Sequence, residues 1–146
     1  MVTPFNTQTI RTSTHEETLE LGTKIGKSLQ PGSSVTLTGR LGAGKTTLVK
    51  GIALALGIDE PVTSPTYTII SEYSGLLPLY HVDLYRVKDP DELYDIGLAE
   101  YLAGTGVTVI EWPEMAMAIL PENNVAVMIS VEANGSRKFE LQGLRI

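Results

Sequence analysis

Apolar positions along this chain recur with two different periods. In "STHEETLELGTKIGKSLQPG", Leu21, Ile25 and Leu29 fall four apart, the spacing of one helical face. Thr14 or Ser13 followed three residues later by an acid makes a capping box, and Pro31-Gly32 ends the run, so the pattern predicts a helix from about Thr14 to Leu29. "TQTIRT" before it and the β-branched "SSVTLTG" after it read as strands, the second one buried. "KTTLVKGIALALG" is helical up to Gly57, which closes it as a C-cap. "TYTIISEYSGLLPLYHVDLYR" reads as two strands around a Ser74-Gly75 turn. "DPDELYDIGLAEYLAG" opens a helix with Asp89 as N-cap, Pro90 at the first helical position and Glu92 three after the cap; Gly97 breaks or bends it. "GVTVIEW" is a further apolar strand, Pro113 starts a brief helix in "PEMAMAIL", and the alternation on either side of Asn134-Gly135 predicts a hairpin. Strands alternating with helices imply an α/β sandwich with a parallel centre.

Composition narrows the class. A length of 146 residues suits one domain, 1–146, and 42% apolar with 19% charged residues is the balance of a chain that folds. The start "MVTPFNTQTI" has no basic region leading into an apolar segment, and "IALALGI" is far short of the roughly 20 residues that span a bilayer. No membrane association and a cytoplasmic location are expected. The absence of cysteine leaves oxygen or imidazole to hold any metal. A net charge of −6 argues against a large nucleic-acid surface, so any RNA served by this chain is expected to be held by a partner.

The chemistry centres on "LTGRLGAGKTT". Gly39, four residues, Gly44, Lys45 and Thr46 match the phosphate-loop pattern, placed between a predicted strand and a predicted helix. Glycines at 39, 42 and 44, with Ala43 between the last two, let the backbone curl so that N–H groups converge on phosphate oxygens, and the helix that follows adds its positive end. Lys45 can reach the β- and γ-phosphates, the Thr46 hydroxyl can bind Mg²⁺, and the Thr47 hydroxyl is placed for the α-phosphate. The asparagines, Asn6, Asn123, Asn124 and Asn134, offer no Asn-Lys-x-Asp segment for guanine, so ATP is the expected nucleotide. The expected architecture is a three-layer P-loop NTPase-like α/β sandwich with a mixed, mainly parallel central sheet and an antiparallel edge hairpin.

An ATPase also needs carboxylates near the metal. Glu111 closes the apolar strand "GVTVIE", as expected where a buried parallel strand delivers an acid to the loop, or else it is a solvated residue starting a turn. Period two puts His81, Asp83 and Tyr85 on one face of "YHVDLYR" and Val82 and Leu84 on the other; Asp83 is either a second site acid or part of an exposed strand face. Ser64-Pro65-Thr66 lies where switch segments carry a γ-phosphate-sensing threonine, and is equally compatible with a plain turn. Trp112 is either a core ring or a ring at the site. The candidate set is therefore Lys45, Asp83 and Glu111 for catalysis, Thr46, Asp83 and Glu111 for the metal, and Gly39, Gly42–Thr47, Thr66 and Trp112 for the nucleotide.

"GRLGAGKTTLVKG", "SPTYT", "YHVDLYR", "DPDELYDIGLAEYL" and "VIEWPE", in this order and over nearly the whole chain, resemble the TsaE (YjeE) family. These are small bacterial ATPases needed to make threonylcarbamoyl-adenosine in tRNA. The resemblance implies ATP on Gly42 to Thr47, magnesium near Thr46 and Glu111, an Asp83 that matters for turnover, Thr66 in a switch segment and Trp112 close to the nucleotide. It also implies TsaD and TsaB as partner proteins, with tRNA reached through them. Two positions differ from many relatives: Arg40 stands where they have an acid, and Ser136 separates Gly135 from Arg137 in the last hairpin.

Of the five arginines, Arg86 and Arg40 are the near candidates for an arginine finger, and neither has a pattern that places it at the γ-phosphate. Slow hydrolysis by the isolated chain and faster turnover with partners are therefore expected. The rival readings are a small-molecule kinase, disfavoured by the sparse arginines, and a nucleotide-gated binding module that never cleaves its ATP.

Overall fold

The computed structural model describes residues 7–40, 42–63 and 69–146. In chain order the described elements are β1 (Thr7–Thr12), α1 (His15–Ser28), β2 (Ser34–Thr38), α2 (Lys45–Ala55), β3 (Ile70–Tyr73) and β4 (Leu79–Asp83). They continue with α3 (Glu92–Ile96), α4 (Leu98–Ala103), β5 (Val107–Glu111), a 3₁₀ helix (Pro113–Ile119), β6 (Val125–Val131) and β7 (Arg137–Gln142).

All seven strands join one sheet in the order β1-β7-β6-β2-β5-β4-β3. The centre, β6-β2-β5-β4, is parallel throughout, and antiparallel strands flank it on both sides. Such a centre is covered on both faces, and β5 is buried at every position. The expected β6–β7 hairpin is present, but β1 pairs antiparallel with β7 and takes the outermost place. Its alternating burial suits a strand with one wet face.

Two cores lie on the two faces. Leu21 and Ile25 of α1 and Leu48, Val49 and Ile52 of α2 pack with Val35, Leu37, Val109 and Val127 of the sheet. Val82 and Ile110, pointing the other way, pack with Leu93, Leu98 and Ala116 from α3, α4 and the 3₁₀ helix. These are the three layers expected from the sequence.

Local signals account for most boundaries. Thr14 accepts the Glu17 N–H at 3.1 Å and Glu17 reaches back to the Ser13 N–H at 3.0 Å, so the capping box starts α1 as predicted. The Asp89 signal works differently. Asp89 accepts from the Asp91 N–H at 2.9 Å and Glu92 from the Asp89 N–H at 3.2 Å, closing a turn, and regular helix begins only at Glu92. Gly97 then divides the predicted single helix into α3 and α4. The segment after Pro113 is helical with the tighter 3₁₀ winding.

The α1–α2 contact is unusually close. A methyl at Gly51 would overlap the Leu19 carbonyl oxygen and lie 2.8 Å from the Gly22 Cα, and one at Gly22 would overlap the Leu48 carbonyl oxygen. The two helices run parallel, so both N-termini lie at one end, where Thr47 Oγ1 and His15 Nδ1 are 3.4 Å apart. In an exposed helix Gly→Ala gains about 1 kcal/mol. At Gly51 the collision outweighs it: Gly51→Ala is expected to destabilise by roughly 1–3 kcal/mol, read as a lower urea midpoint with unchanged slope.

Candidate functional site

The turn from β2 into α2 is built by steric necessity. Gly39 passes so close to β6 that a Cβ would stand 2.8 Å from the Ile129 carbonyl oxygen. Gly42 and Gly44 have φ of 79° and 108°, backbone that favours glycine. Gly44 caps α2 without any side-chain hydrogen bond, so the first-turn amides from Gly44 to Thr47 face out of the helix end. That turn also carries no acid, whereas the first turn of α1 holds Glu16 and Glu17. A positive helix end with no acid of its own in the first turn favours an anion. The Ala43 N–H, by contrast, donates to the Arg40 carbonyl at 3.2 Å.

Lys45 is only 5% exposed. Its Nζ donates to the Gly39 carbonyl oxygen at 2.6 Å and lies 4.0 Å from the centroid of the Trp112 ring, which leaves two ammonium hydrogens for other acceptors. Burial lowers its pKa below the usual 10.5, while the charges of Glu111, then Asp83 and Glu114, act in the opposite sense.

Parallel pairing brings the two predicted carboxylates together. Asp83 ends β4 directly opposite Glu111 at the end of β5, and Leu37 of β2 is opposite Glu111 on its other side. Glu111 is 4% exposed, so it is no solvated turn residue. His81, fully buried, sets its Nε2 2.6 Å from Glu111 Oε2. Asp83 is half-buried and accepts the Tyr85 N–H at 2.9 Å.

Trp112 is the one non-glycine residue with positive φ among those described, 56°. Bulky residues rarely adopt this conformation, and holding one there costs about 1–3 kcal/mol. The bend turns the chain from β5 into Pro113 and sets the indole against Lys45 and, at a centroid distance of 4.9 Å, against Tyr85. Of the two readings of this ring, the structure places it at the loop.

Lys45, Asp83, Glu111 and Trp112 are thus gathered beside the loop formed by Gly39, Gly42, Ala43 and Gly44, with Thr46 and Thr47 in the first turn of α2. Thr66 lies outside the described residues. Three neighbours were not assigned a role from sequence: His81 behind Glu111, His15 beside Thr47, and Glu114 near Lys45. The face shared by His81 and Asp83 was visible in the period-two pattern; the other two depend on contacts between elements. Arg137 lies across the loop, its Nη2 donating to the Gly42 carbonyl at 3.3 Å, while Arg40 and Arg86 are exposed. Among the described residues no group of three or more His, Asp or Glu side chains forms a metal cage.

The sheet order and the strand–glycine loop–helix unit define an α/β protein of P-loop NTPase-like architecture. Residues 12–139 match the family model described as threonylcarbamoyl adenosine biosynthesis protein TsaE. A tRNA threonylcarbamoyladenosine biosynthesis protein TsaE from Treponema pallidum (strain Nichols) is 48% identical over 85% of this chain and 92% of its own. The protein of the same name from Bacillus subtilis (strain 168) is 44% identical over 88% and 81%. The crystal structure of Bacillus subtilis YdiB superposes with a TM-score of 0.78 at 36% identity, covering 97% of this chain and 86% of that one. The chain belongs to the TsaE family.

The electrostatics of Lys45 can be tested directly. Its ammonium should titrate below the usual lysine value of 10.5 in a ¹³C NMR pH series, and Glu111→Gln, by removing the largest charge that holds the proton on, should lower it further.

Proposed function

We propose that this chain binds ATP with Mg²⁺ and hydrolyses it in support of tRNA threonylcarbamoyladenosine synthesis, acting with TsaD and TsaB proteins that hold the tRNA. The pathway comes from the family and from the names of the relatives. The observation that carries the ATPase reading is the pairing of Asp83 with Glu111 across β4 and β5, with Lys45 within their electrostatic reach at the glycine loop.

The residues suit both groups. The acid-free first turn of α2 and the two remaining hydrogens of Lys45 fit phosphate oxygens. Mg²⁺ takes one or two carboxylates together with water and phosphate oxygens rather than an all-protein cage, so Thr46, Glu111 and Asp83 suffice without a larger cluster. When bound, the ion would neutralise charge on the β- and γ-phosphates. In hydrolysis a water oxygen bonds to the γ-phosphorus as the bond to the β–γ bridging oxygen breaks, giving ADP and inorganic phosphate. Asp83 orients that water and accepts its proton. Glu111, held by His81 through one oxygen, would offer the other to the metal, and Lys45 would pair with the phosphates.

Lys45→Ala and Glu111→Ala should each lower steady-state phosphate release by roughly 10² or more, the scale of losing one preorganised electrostatic group. Glu111→Ala should still bind ATP in calorimetric titration, and loss of that binding would contradict the assigned roles. The isolated chain should turn over slowly and speed up when TsaD, TsaB and tRNA are added, because an arginine supplied in trans can contribute roughly 10³–10⁵ in rate. Radiolabelled γ-phosphate appearing in an organic acceptor would point to a kinase. Binding without phosphate release over repeated turnovers would point to a gated binding module.

A further inference from the structure

Charge is distributed very unevenly along this chain. From Asp89 to Ser136 there are nine acids and not one lysine or arginine, although the whole chain has 11 such cations. Besides β5 and β6 this stretch forms α3, α4 and the 3₁₀ helix, and these three helical segments, which hold Glu92, Asp95, Glu100 and Glu114, enclose a groove of about 330 Å³. Leu93 and Met115 line it together with the more exposed Tyr94, Ala99 and Ile119, and Asp91 and Glu100 stand at its edge. Tyr94 of α3 is 83% exposed and Met117 of the 3₁₀ helix 63%, so both walls carry large exposed apolar side chains. Asp89, Glu92, Asp95 and Glu114 are also exposed nearby.

We propose that this groove docks a basic, amphipathic segment of a protein partner, whose apolar side chains enter between Tyr94 and Ile119 while its lysines or arginines meet Asp91 and Glu100. The charge determines the class of occupant. A nucleic acid would bring phosphates against carboxylates with no cation in the lining to offset them. A second copy pairing through the same patch would set one acidic face against another. Apolar anchors surrounded by opposite charge are what a basic amphipathic helix requires of its groove.

The position of the groove also connects it to the site. Its α3–α4 wall follows Asp83 through Leu84 and Val87, which are buried in the same core as Leu93. Its other wall, the 3₁₀ helix, starts right after Glu111 and Trp112. The two strand ends are tied together by the Leu84 N–H donating to the Glu111 carbonyl at 3.1 Å. An occupant therefore rests on the direct continuations of both carboxylate-bearing strands, and its seating alters phosphate release. That last link rests on the ATPase reading above; the docking itself does not.

The test uses the full ¹⁵N-labelled chain without nucleotide, titrated with an amphipathic helical peptide of leucine and lysine, and with the same peptide carrying glutamate for lysine. The expected result is saturable amide shifts at Leu93, Tyr94, Ala99, Met115 and Ile119 with the lysine peptide alone. Asp91→Lys combined with Glu100→Lys, both on exposed side chains, should weaken it about tenfold and admit the glutamate peptide. Equal binding of both peptides, shifts centred on the phosphate loop, or sedimentation showing a dimer that Ile119→Asp dissolves would each overturn the docking proposal. Saturable docking that leaves phosphate release unchanged, in a protein that does hydrolyse ATP, would overturn the coupling and leave the ATPase reading intact.

Discussion

A carboxylate carried into the interior has to find a partner, and the site depends on how Glu111 finds one. The strand that delivers it is buried on both faces, so the acid is largely withdrawn from solvent. His81, two residues before Asp83 on the neighbouring parallel strand, supplies the hydrogen bond at 2.6 Å. The other ring nitrogen, Nδ1, is buried with no partner among the described residues. A lone N–H there would be an orphaned donor in the core, so the ring proton belongs on Nε2, donated to Glu111. One glutamate oxygen is fixed in this way, and the other takes no part in that bond. Register does the rest: the pairing that aligns His81 with Val109 also aligns Asp83 with Glu111.

The two faces of the sheet carry different burdens. On the α1–α2 face the core is large and the helices are locked together, which gives the loop a rigid base at the end of β2. The opposite face has a smaller core under short helical segments, with exposed tyrosine and methionine and a local cluster of acids. Local stability follows packing, so this second face is the more deformable one. Both Asp83 and Glu111 lie where the chain passes from the sheet into it.

Much of this was legible in the sequence because the signals were local. The Thr14 capping box, the Gly57 stop on α2, the hairpin at Asn134-Gly135 and the acid at the end of "GVTVIE" each act through neighbours within a few residues. One departure is itself local: Asp89 has the chemistry of an N-cap, yet its side chain closes a turn before the helix instead. The others involve longer range. The place of β1 beyond β7 is set by pairing across more than a hundred residues. The burial of Glu111 behind His81 joins residues thirty apart, and period two could put His81 on the right face without saying what it met there. Nor does the sequence of Trp112 disclose its left-handed backbone, which arises because the chain must turn sharply at the end of a buried strand.

The contact between Gly22 and Gly51 has a consequence for how this protein can change. Most clashes created by mutation can be relieved by trimming the side chain that stands in the way. Here the obstructing atoms are the carbonyls of Leu48 and Leu19, which every amino acid possesses. No second-site replacement can remove them, so a larger residue at either position is accommodated only by moving one helix bodily away from the other. The two glycines are an evolutionary dead end, open to revision only through a new spacing of that layer.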